Sequence, residues 1–586
     1  MTRIAQEAFP NDPFFTEIVR QANSSPPDSW YIFDAANNIR ATYLQLLDDV
    51  VKFKSVLRNS LPSDVLHLID SPSETGVHVF VFAPSSYYFL VGFLAVLAMG
   101  GVAVPLAPNI TAEEAAFVLQ KYHAACILSS SQQSQRVKEI ATQAKQAHDF
   151  TLLNIQITPN ANGEQKQVSP EAVRIDPDIS FPPERPATVM FSSGTTGPPK
   201  GIVHARRYWS ALANNSAPRT SMPGALSLST RAMHWTGGLR PDVFSLLSGA
   251  RIEYLNDRPV TAETLWERLR RKDRPAVTSL ALNPIMWNRM KSYYEETLSA
   301  LPEDELQEYN AAARALWMAS SVGGYLIKPV QLFWRRMLGD RSLQIFYATT
   351  EAAPVMLLPL GANEDSEERV IGSPCPNVEI KLSEGDHGEI LVKGPFLFSG
   401  YHDDPEKTRE AFDEEGYYKT GDVGRYTGKH YIIDGRVSTD IIQFCFWNVR
   451  GLELQEHILS LPYIDEAYVL SVPDVEVRTR VAALIKTKGN CNLSLHKLRS
   501  DLSARLPLYK LPTLLRTLGK NEYFPMTDSG RLRIRDAVKL YFPQTVHERI
   551  EDLPAQVEVW DITKEVSDSP ARPWDWAGLP LELIPR

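Results

Sequence analysis

The chain has 586 residues; 44% of them are hydrophobic, 22% are charged, and the formal net charge is −9. This length exceeds one ordinary hydrophobic core and the composition is that of a folded protein, so we expect two or more domains. The acidic balance argues against nucleic acid as a partner, because nucleic-acid binding requires a basic surface. Four widely spaced cysteines without metal-like spacing, and an N-terminus without a secretory signal, favour a reduced, cytoplasmic protein.

A stretch without Asp, Glu, Lys or Arg runs from residue 77 to residue 108. Proline and glycine divide it into a strand-like piece (Val77–Ala83), a helix-length piece (Ser86–Met99) and a second strand-like piece (Val102–Leu106). An apolar strand, helix and strand in this order indicate the centre of a parallel α/β sheet. A membrane span is the alternative interpretation, and we favour the buried sheet.

Apolar runs alternate with helix-length amphipathic stretches through residues 30–360, which predicts a layered α/β architecture. Shorter alternating runs from about residue 366 predict a β-rich subdomain, and fresh α/β patterning follows over residues 436–545. The expected strands include Ala187–Phe191, Arg251–Leu255, Ala276–Leu280, Ser342–Phe346, Val378–Leu382, Gly388–Val392, His430–Ile433, Ile464–Val472 and Arg480–Thr487, with a helix at Leu452–Ser460.

The most informative segment is Phe191–Gly201, which reads FSSGTTGPPKG and follows a short apolar strand. Small residues allow a backbone to bend closely around phosphate oxygens, hydroxyl groups can donate to those oxygens, and Lys200 adds a positive charge. A flexible turn is the alternative for a loop of this composition alone. The spacing is not that of the Walker loop, which disfavours an ordinary P-loop ATPase.

This segment resembles the signature loop of the adenylate-forming superfamily, which includes acyl-CoA synthetases, adenylation domains of nonribosomal peptide synthetases, and luciferases. Further blocks recur in the family's order over roughly residues 40–540. They are Gly92–Leu106, Met233–Gly238, Tyr347–Glu351, Gly394–Pro395, Gly400–Tyr401, Pro405–Thr408, Tyr418–Asp422, Asp434–Arg436, Leu506–Pro512 and Pro525–Arg531.

The resemblance implies an α/β fold in three parts. A large layered N-terminal AMP-binding domain with a β-rich subdomain would span residues 1–434, a small mobile α+β lid domain residues 435–545, and a tail of unknown role residues 546–586. It also implies ATP-dependent activation of a carboxylic acid to acyl-AMP and transfer of the acyl group to a thiol. ATP, Mg²⁺ and CoA, or phosphopantetheine on a carrier protein, would take part. Repulsion between two anions makes positioning and electrostatic stabilisation the main tasks of such an enzyme.

Site residues carried over from the family follow this need. The loop with Lys200 would hold the β- and γ-phosphates, Thr350 would donate to the α-phosphate, and Glu351 would ligate Mg²⁺. Taken alone, each residue has a plain structural alternative, such as a turn former or a core side chain. Tyr347 would stack on adenine beside Gly323 and Gly324, and Asp422 would bind the ribose with the aid of Arg436. The other predicted residues of the phosphate loop are Ser192, Ser193, Gly194, Thr195, Thr196 and Gly197.

Three further residues are candidates for the pocket that holds the acid. His234 and Trp235 would border it, as the corresponding side chains do in the family, and their aromatic character leans towards a medium-length fatty, aryl or polyketide-like acid. Arg289 occupies the position at which malonyl-CoA synthetase-like members carry an arginine that meets a second carboxylate. A solvent-facing helix arginine is the alternative there.

Three departures from the family pattern bear on activity. Arg531 stands where the late motif normally ends in a catalytic lysine, and a planar guanidinium is not equivalent to an ammonium group. Cys445 and Phe446 replace a pair of glycines in the loop that would line the thiol tunnel, after what looks like a one-residue insertion, and Ala348 replaces a glycine beside the adenine site. The sequence therefore leaves three interpretations open: a CoA ligase, an enzyme that loads a carrier protein, and a catalytically impaired nucleotide-binding homologue.

Overall fold

The computed structural model of the chain describes most of its length. The described residues are 8–26, 28–71, 76–159, 168, 173–191, 200–216, 224–255, 260–324, 326–359, 369–436, 440–444, 447–474, 478–527, 530–543 and 553–561.

The described strands are numbered in chain order. They are β1 (Phe9–Pro10), β2 (Ile32–Asp34), β3 (Ile39–Ala41), β4 (His78–Phe82), β5 (Val102–Pro105), β6 (Cys126–Ser129), β7 (Asn154–Gln156), β8 (Ile175–Asp176), β9 (Pro186–Phe191), β10 (Gly201–Ala205), β11 (Leu226–Ser229), β12 (Arg251–Tyr254), β13 (Ser279–Leu282), β14 (Met318–Val322), β15 (Gln344–Thr349), β16 (Ala353–Leu358), β17 (Val370–Pro374), β18 (Glu379–Glu384), β19 (His387–Lys393), β20 (Gly400–Tyr401), β21 (Tyr418–Tyr426), β22 (Tyr431–Arg436), β23 (Ile441–Phe444), β24 (Trp447–Arg450), β25 (Ile464–Asp474), β26 (Arg478–Thr487), β27 (Leu514–Thr517) and β28 (Val557–Val559).

The described α-helices are numbered in the same way. They are α1 (Pro13–Ser24), α2 (Tyr43–Ser60), α3 (Ser63–Asp70), α4 (Tyr87–Met99), α5 (Ala112–Lys121), α6 (Ser134–His148), α7 (Arg206–Ser216), α8 (Thr236–Leu247), α9 (Ala262–Arg270), α10 (Pro284–Glu296), α11 (Glu303–Ala315), α12 (Lys328–Met337), α13 (Pro405–Glu410), α14 (Gly451–Leu459), α15 (Leu495–Ser503) and α16 (Ile534–Tyr541).

The apolar stretch forms the centre of the first large sheet. Its described strands run in the order β20-β10-β9-β5-β4-β6-β7, and β4 pairs in parallel with both β5 and β6. Helix α4 is buried on nearly all sides, which explains its uniformly apolar sequence. Ser86 caps its first turn by accepting from the Phe89 amide, and Gly100 ends it in the left-handed conformation, with φ of +90°. The expected strand–helix–strand unit is therefore confirmed.

A second sheet carries the strands that position the candidate site. Its described order is β18-β19-β21-β22-β17-β16-β15-β14-β13-β11-β12-β2-β3, and β13, β14 and β15 are parallel neighbours. Ligands of α/β proteins bind where the carboxyl ends of parallel strands meet. Strands β17 to β19, β21 and β22 extend the same sheet with antiparallel pairs, which is the β-rich subdomain predicted from the short alternating runs.

The C-terminal domain has its own sheet and core. The described strands run in the order β24-β23-β26-β27-β28, with β25 paired to β26. Strand β28 pairs antiparallel with β27, and the Arg499 guanidinium lies 4.1 Å from the centre of the Trp560 ring. Val557–Val559, which the sequence analysis placed in the tail, is thus paired with the sheet of the C-terminal domain.

Most strand predictions are met within one to three residues. One displaced element is β13, which begins at Ser279 although the apolar run begins at residue 276. Among the described residues, no helix is long and apolar enough to cross a membrane.

Asp242 on α8 is a buried acid that is bonded to a serine. Its side chain is 3% exposed and accepts a hydrogen bond of 2.8 Å from the Ser229 hydroxyl. Burial raises the pKa of Asp242 to about 7, while the bond from Ser229 works in the opposite direction.

We expect Asp242→Asn to make the protein more stable above neutral pH. Between the unfolded pKa of about 3.9 and the folded pKa, the unfolded state alone is ionised, so native stability falls as pH rises through this window. Each unit between the two pKa values costs about 1.4 kcal/mol of stability, so the wild type loses a few kcal/mol across this window. Asparagine does not ionise, so the Asp242→Asn variant avoids this loss. Urea unfolding at pH 5 and pH 8 measures it, with the exposed Asp178→Asn as control; an unchanged pH dependence in Asp242→Asn would contradict it.

Candidate active site

The candidate site lies in the cleft at the carboxyl ends of β13 to β15, facing the lid domain. Asn283 follows β13 and caps α10 by accepting from the Met286 amide at 2.8 Å. Gly323 follows β14 with φ of +91°, and a Cβ atom there would meet no heavy atom within 4 Å. This open backbone edge leaves room for a flat ligand, as the resemblance predicts for adenine. A Cβ on the neighbouring Gly324 would lie 3.3 Å from Pro284.

A tyrosine, a carboxylate and an arginine form one wall of the cleft. The Tyr347 hydroxyl donates to Asp422 Oδ2 at 2.7 Å, and Arg436 Nε donates to Asp422 Oδ1 at 2.7 Å. Burial raises the pKa of the Tyr347 phenol, and Asp422 adds to the rise. Burial lowers the pKa of Arg436, but Asp422 more than compensates and raises it overall. The structure therefore brings these three predicted residues together in a partly buried ion pair that a tyrosine joins.

The loop after β15 is held from two sides. Phe398 donates its amide to the Glu351 carbonyl at 2.7 Å, and His204 Nε2 lies 2.8 Å from the Thr350 carbonyl. Burial lowers the pKa of His204 to about 4. His204 is therefore neutral at pH 7, and its Nε2–H is the donor to Thr350. This bracing fixes the orientation of the two adjacent side chains of Thr350 and Glu351.

Glu351 stands next to a tyrosine and a lysine. The Tyr401 hydroxyl donates to Glu351 Oε1 at 3.2 Å, and Lys200 Nζ lies 5.0 Å from the centre of the Tyr401 ring. The structure thus places the predicted phosphate-loop lysine on the Glu351 side of the cleft. The remaining predicted loop residues, Ser192, Ser193, Gly194, Thr195, Thr196 and Gly197, lie outside the described residues.

The donor set around Glu351 fits Mg²⁺. This ion prefers oxygen ligands and is commonly bound by one or two carboxylates together with substrate phosphates. Within the described ranges no three His, Cys, Asp or Glu side chains are grouped so that they could hold a metal ion by themselves, so Mg²⁺ at Glu351 would depend on the phosphates of the substrate for further ligands. Mg²⁺ bound here would offset the negative charge of the triphosphate.

Arg531 enters this cleft from the lid domain. Its amide donates to Thr527 Oγ1 at 3.0 Å across a tight turn, in which Gly530 has φ of +75°. Arg531 is exposed by its accessible surface, but the many protein atoms around its guanidinium still disfavour the charged form and lower its pKa, and the charge of Arg436 adds to the lowering. The charges of Asp422 and Glu351 act in the opposite direction. The lid therefore brings a cation within electrostatic range of both carboxylates of the N-terminal domain.

The motif that follows β11 supplies a second cation, Arg231, which the sequence analysis missed. Burial, together with the charge of Arg531, lowers the pKa of Arg231 to about 10. Its Nη1 atom is buried and makes no hydrogen bond within the described part of the protein. A Cβ atom on Gly237 would lie 2.4 Å from Arg231 Nη2, so the glycine of the pocket motif makes room for the guanidinium. The sequence feature that could have indicated Arg231 is its position, two residues before the pocket motif Met233–Gly238.

His234 and Trp235 lie where the pocket motif turns into α8. Their ring centres are 5.1 Å apart, and Trp235 is the residue that precedes the helix. The Trp235 indole nitrogen and the Thr236 hydroxyl are buried without a hydrogen bond to any described residue. Polar atoms in this condition favour a wall that a ligand completes. This arrangement agrees with a pocket role, which remains a prediction for both aromatic residues.

Arg289 lies where the two domains meet, partly exposed as in the alternative interpretation, and its role in the acyl pocket stays a prediction. It lies on α10 with its side chain 55% exposed, and its Nη2 donates to Glu466 Oε1 of the lid domain at 2.8 Å. The lid also contacts Asn283, since a Cβ on Gly530 would lie 2.6 Å from Asn283 Nδ2. In this arrangement Arg289 therefore joins the two domains. Cys445 and Phe446 lie outside the described residues.

Two comparisons of the sequence identify the family. The family model described as AMP-binding enzyme matches residues 18–402. An acyl-CoA ligase of Aspergillus oryzae, oryP, is 35% identical over 577 residues, which cover 98% of this chain and 99% of the relative. A malonate–CoA ligase of Arabidopsis thaliana is 31% identical and covers 75% of this chain and 74% of its own length.

Solved structures agree in fold. ATP-bound MatB of Rhodopseudomonas palustris superposes with a TM-score of 0.71 at 19% identity, covering 90% of this chain and 99% of that one. The anthranilate CoA ligase AuaEII in complex with anthranoyl-AMP also gives 0.71, at 17% identity, covering 93% and 100%. With these matches, the expected α/β fold is confirmed. The chain belongs to the family of AMP-binding enzymes, as an AMP-forming acid–thiol ligase.

Proposed function

We propose that the cleft between the two domains activates a carboxylic acid with ATP, forming acyl-AMP and pyrophosphate, and that the acyl group then passes to the thiol of CoA. The observation that carries this proposal is the docking of the lid beside Arg531 on the N-terminal domain, where a Cβ on Gly530 would lie 2.6 Å from Asn283 Nδ2; at this place the charges of Glu351 and Asp422 act on Arg531. Asn283 directly follows β13, so the part of the lid that carries Arg531 docks at the carboxyl end of a parallel strand.

The first half-reaction requires one anion to attack another. The carboxylate oxygen forms a bond to the α-phosphorus, the bond from that phosphorus to the bridging oxygen breaks, and pyrophosphate leaves. The acid is ionised at pH 7, so no general base is needed. Lys200 and Arg531 would reduce the repulsion, Thr350 would donate to the α-phosphate, and Glu351 would hold Mg²⁺.

The nucleoside would be held by the wall that Tyr347, Asp422 and Arg436 form. Tyr347 would lie against the adenine beside Gly323, and Asp422 would accept from the ribose hydroxyls. Because Asp422 already receives bonds from Tyr347 and Arg436, its orientation is fixed before ATP arrives. A prepositioned acceptor avoids the entropy cost of ordering at the time of binding.

The second half-reaction needs a thiol to reach the acyl-AMP. The thiolate sulfur attacks the acyl carbon, a thioester forms, and AMP leaves with the electron pair of the broken bond. CoA is the acceptor we favour, because the long relative from Aspergillus oryzae is named an acyl-CoA ligase. A phosphopantetheine arm on a carrier protein is the alternative, and Cys445 and Phe446, in place of the usual glycines, are the feature that motivates it.

The acid itself meets two cations in the cleft. Arg531 would bind the reacting carboxylate and the α-phosphate. Arg231 is then available for another anion, because its buried Nη1 atom has no hydrogen-bond partner in the described part of the chain. We propose that the acid bears a second anionic group, such as a carboxylate, which Arg231 binds beside His234. A relative named malonate–CoA ligase is compatible with a dicarboxylic acid. This assigns to Arg231 the role that the sequence analysis gave to Arg289.

Pyrophosphate release with a panel of mono- and dicarboxylic acids tests the function as a whole. Release with an acid alone, followed by AMP release and thioester formation with CoA, supports the proposal. Thioester formation with a carrier protein and not with CoA supports the alternative acceptor. ATP binding without pyrophosphate release from any acid would overturn the proposal in favour of a catalytically impaired homologue.

We expect Arg531→Met to reduce acid-dependent pyrophosphate release roughly a hundredfold, the usual effect of losing one well-aimed donor to developing charge. Arg531→Lys keeps the charge and should retain more activity than Arg531→Met. The matched control is Arg533→Met, since Arg533 pairs with Asp536 on the exposed surface of the lid. Full activity of Arg531→Met, or equal losses in the two methionine variants, would contradict a catalytic role.

Arg231→Met should lower kcat/KM for dicarboxylic acids by about ten- to a hundredfold relative to monocarboxylic acids of the same length, because a buried charge-assisted bond is lost. Arg289→Met is the matched comparison on the same panel. If the selective loss follows Arg289→Met instead, then Arg289 leaves Glu466 to bind the second carboxylate and the role given to Arg231 is wrong. Equal selectivity of the wild type and both variants would refute a second anionic group.

A further inference from the structure

A cationic cavity lies outside the acyl-AMP cleft, at the junction of the two domains. Its volume is about 540 Å³, within the range of small-molecule sites. It is lined by Arg369, Arg425, Arg450, Glu453, Tyr509 and Lys510. Four of these six residues carry a positive charge and one carries a negative charge, so the lining has a net positive charge.

Both domains contribute to this junction cavity. Arg369 directly precedes β17 and Arg425 lies on β21, both in the N-terminal domain. The other four lining residues belong to the lid, at the end of β24, in α14 and in the turn Leu508–Lys510. The cavity therefore exists in this relative position of the domains and would be divided if the lid turned away.

The carboxylates behind the cavity hold most of the cations in place. Asp434, 6% exposed, accepts from Arg425 Nη1 at 2.5 Å and pairs with Arg450 Nη1 at 3.2 Å. Lys510 Nζ donates to Glu453 at 2.9 Å. These pairs orient the side chains, but the lining still carries more positive than negative charge.

Arg369 differs from the other three cations because two of its nitrogen atoms make no hydrogen bond to a described residue. Its side chain is 8% exposed, and its Nε and Nη1 atoms are buried without a hydrogen bond to any residue that the structure describes. The nearest carboxylate oxygens, of Asp434 and Glu456, lie 3.9 Å from Nη2 and 3.6 Å from Nε. A buried guanidinium with unused donors is costly, and such groups are normally satisfied by a partner. The Arg369 guanidinium is therefore incompletely paired among the described residues, which favours an anionic ligand in the cavity that it lines.

We propose that the junction cavity binds a phosphate-bearing anion and that its occupancy holds the lid in the position seen here. Phosphate offers several acceptor oxygens, and arginine is the side chain best matched to them. Arg369 and Arg425 would contact the anion from the N-terminal domain, and Arg450 and Lys510 from the lid. A ligand that binds one domain arrangement and not the other shifts the population towards the first. Binding here would therefore slow any step that requires the lid to turn.

Isothermal titration of the full chain with inorganic pyrophosphate tests the proposal. We expect the wild type to show one binding event that Arg369→Met and Arg450→Met each weaken by about ten- to a hundredfold. Arg505→Met is the matched control, because Arg505 is an exposed lid arginine that bonds the Ser460 hydroxyl. Lys510→Met serves if either arginine variant fails to fold, as judged by thermal unfolding without ligand.

The design separates this site from the acyl-AMP cleft. If pyrophosphate also binds beside Lys200, the wild type shows two events, and only one of them is lost in Arg369→Met. A second titration with adenosine 3′,5′-bisphosphate distinguishes a nucleotide-borne phosphate from free pyrophosphate; weakening of either probe by the two variants supports the site. Identical titrations of the wild type and the cavity variants with both probes would overturn it, whether or not the chain activates acids.

Discussion

The candidate site depends on positive charge that two domains place against a few fixed carboxylates. Asp422 is held by Tyr347 and Arg436, and the loop of Glu351 is braced by His204 and Phe398. Arg531 completes this arrangement only because the turn of the lid packs against Asn283 at the end of β13. Adenylation would therefore be possible in one relative position of the domains, and the ion pairs that join them help to determine how long that position lasts.

The arginines at the candidate site and at the domain junction differ in role because they differ in burial and in their partners. Arg289 pairs with Glu466 and joins the domains, Arg436 is neutralised by Asp422, and Arg231 is buried with a donor that no described residue uses. Burial decides between these cases, because an exposed ion pair is worth little whereas a buried donor without a partner is costly. The same criterion sets Arg369 apart from the other arginines of the junction cavity.

Much of the fold could be predicted from the sequence because hydrophobic spacing reports burial. Helix α4 and its flanking strands are apolar on every face, and the short alternating runs became antiparallel strands. The ordered motifs placed Tyr347, Thr350, Glu351, Asp422 and Arg531 in one cleft, although their catalytic roles remain predictions. Arg231 escaped notice because a single arginine beside a motif carries no periodic signal. The position of Arg289 depends on how the lid docks, which local sequence does not encode.

Strand β28 covers the edge of the C-terminal sheet, although its short, charged sequence does not predict a strand. Residues 553–561 have no long apolar run, yet Val557–Val559 covers the free edge of β27, and Glu558 accepts from the Leu495 amide at 2.7 Å. A protein shortened to residue 545 would present that edge to solvent, where unpaired amides and carbonyls recruit strands from other molecules. The segment therefore protects the lid from self-association, and shortening the chain there would be expected to yield aggregates.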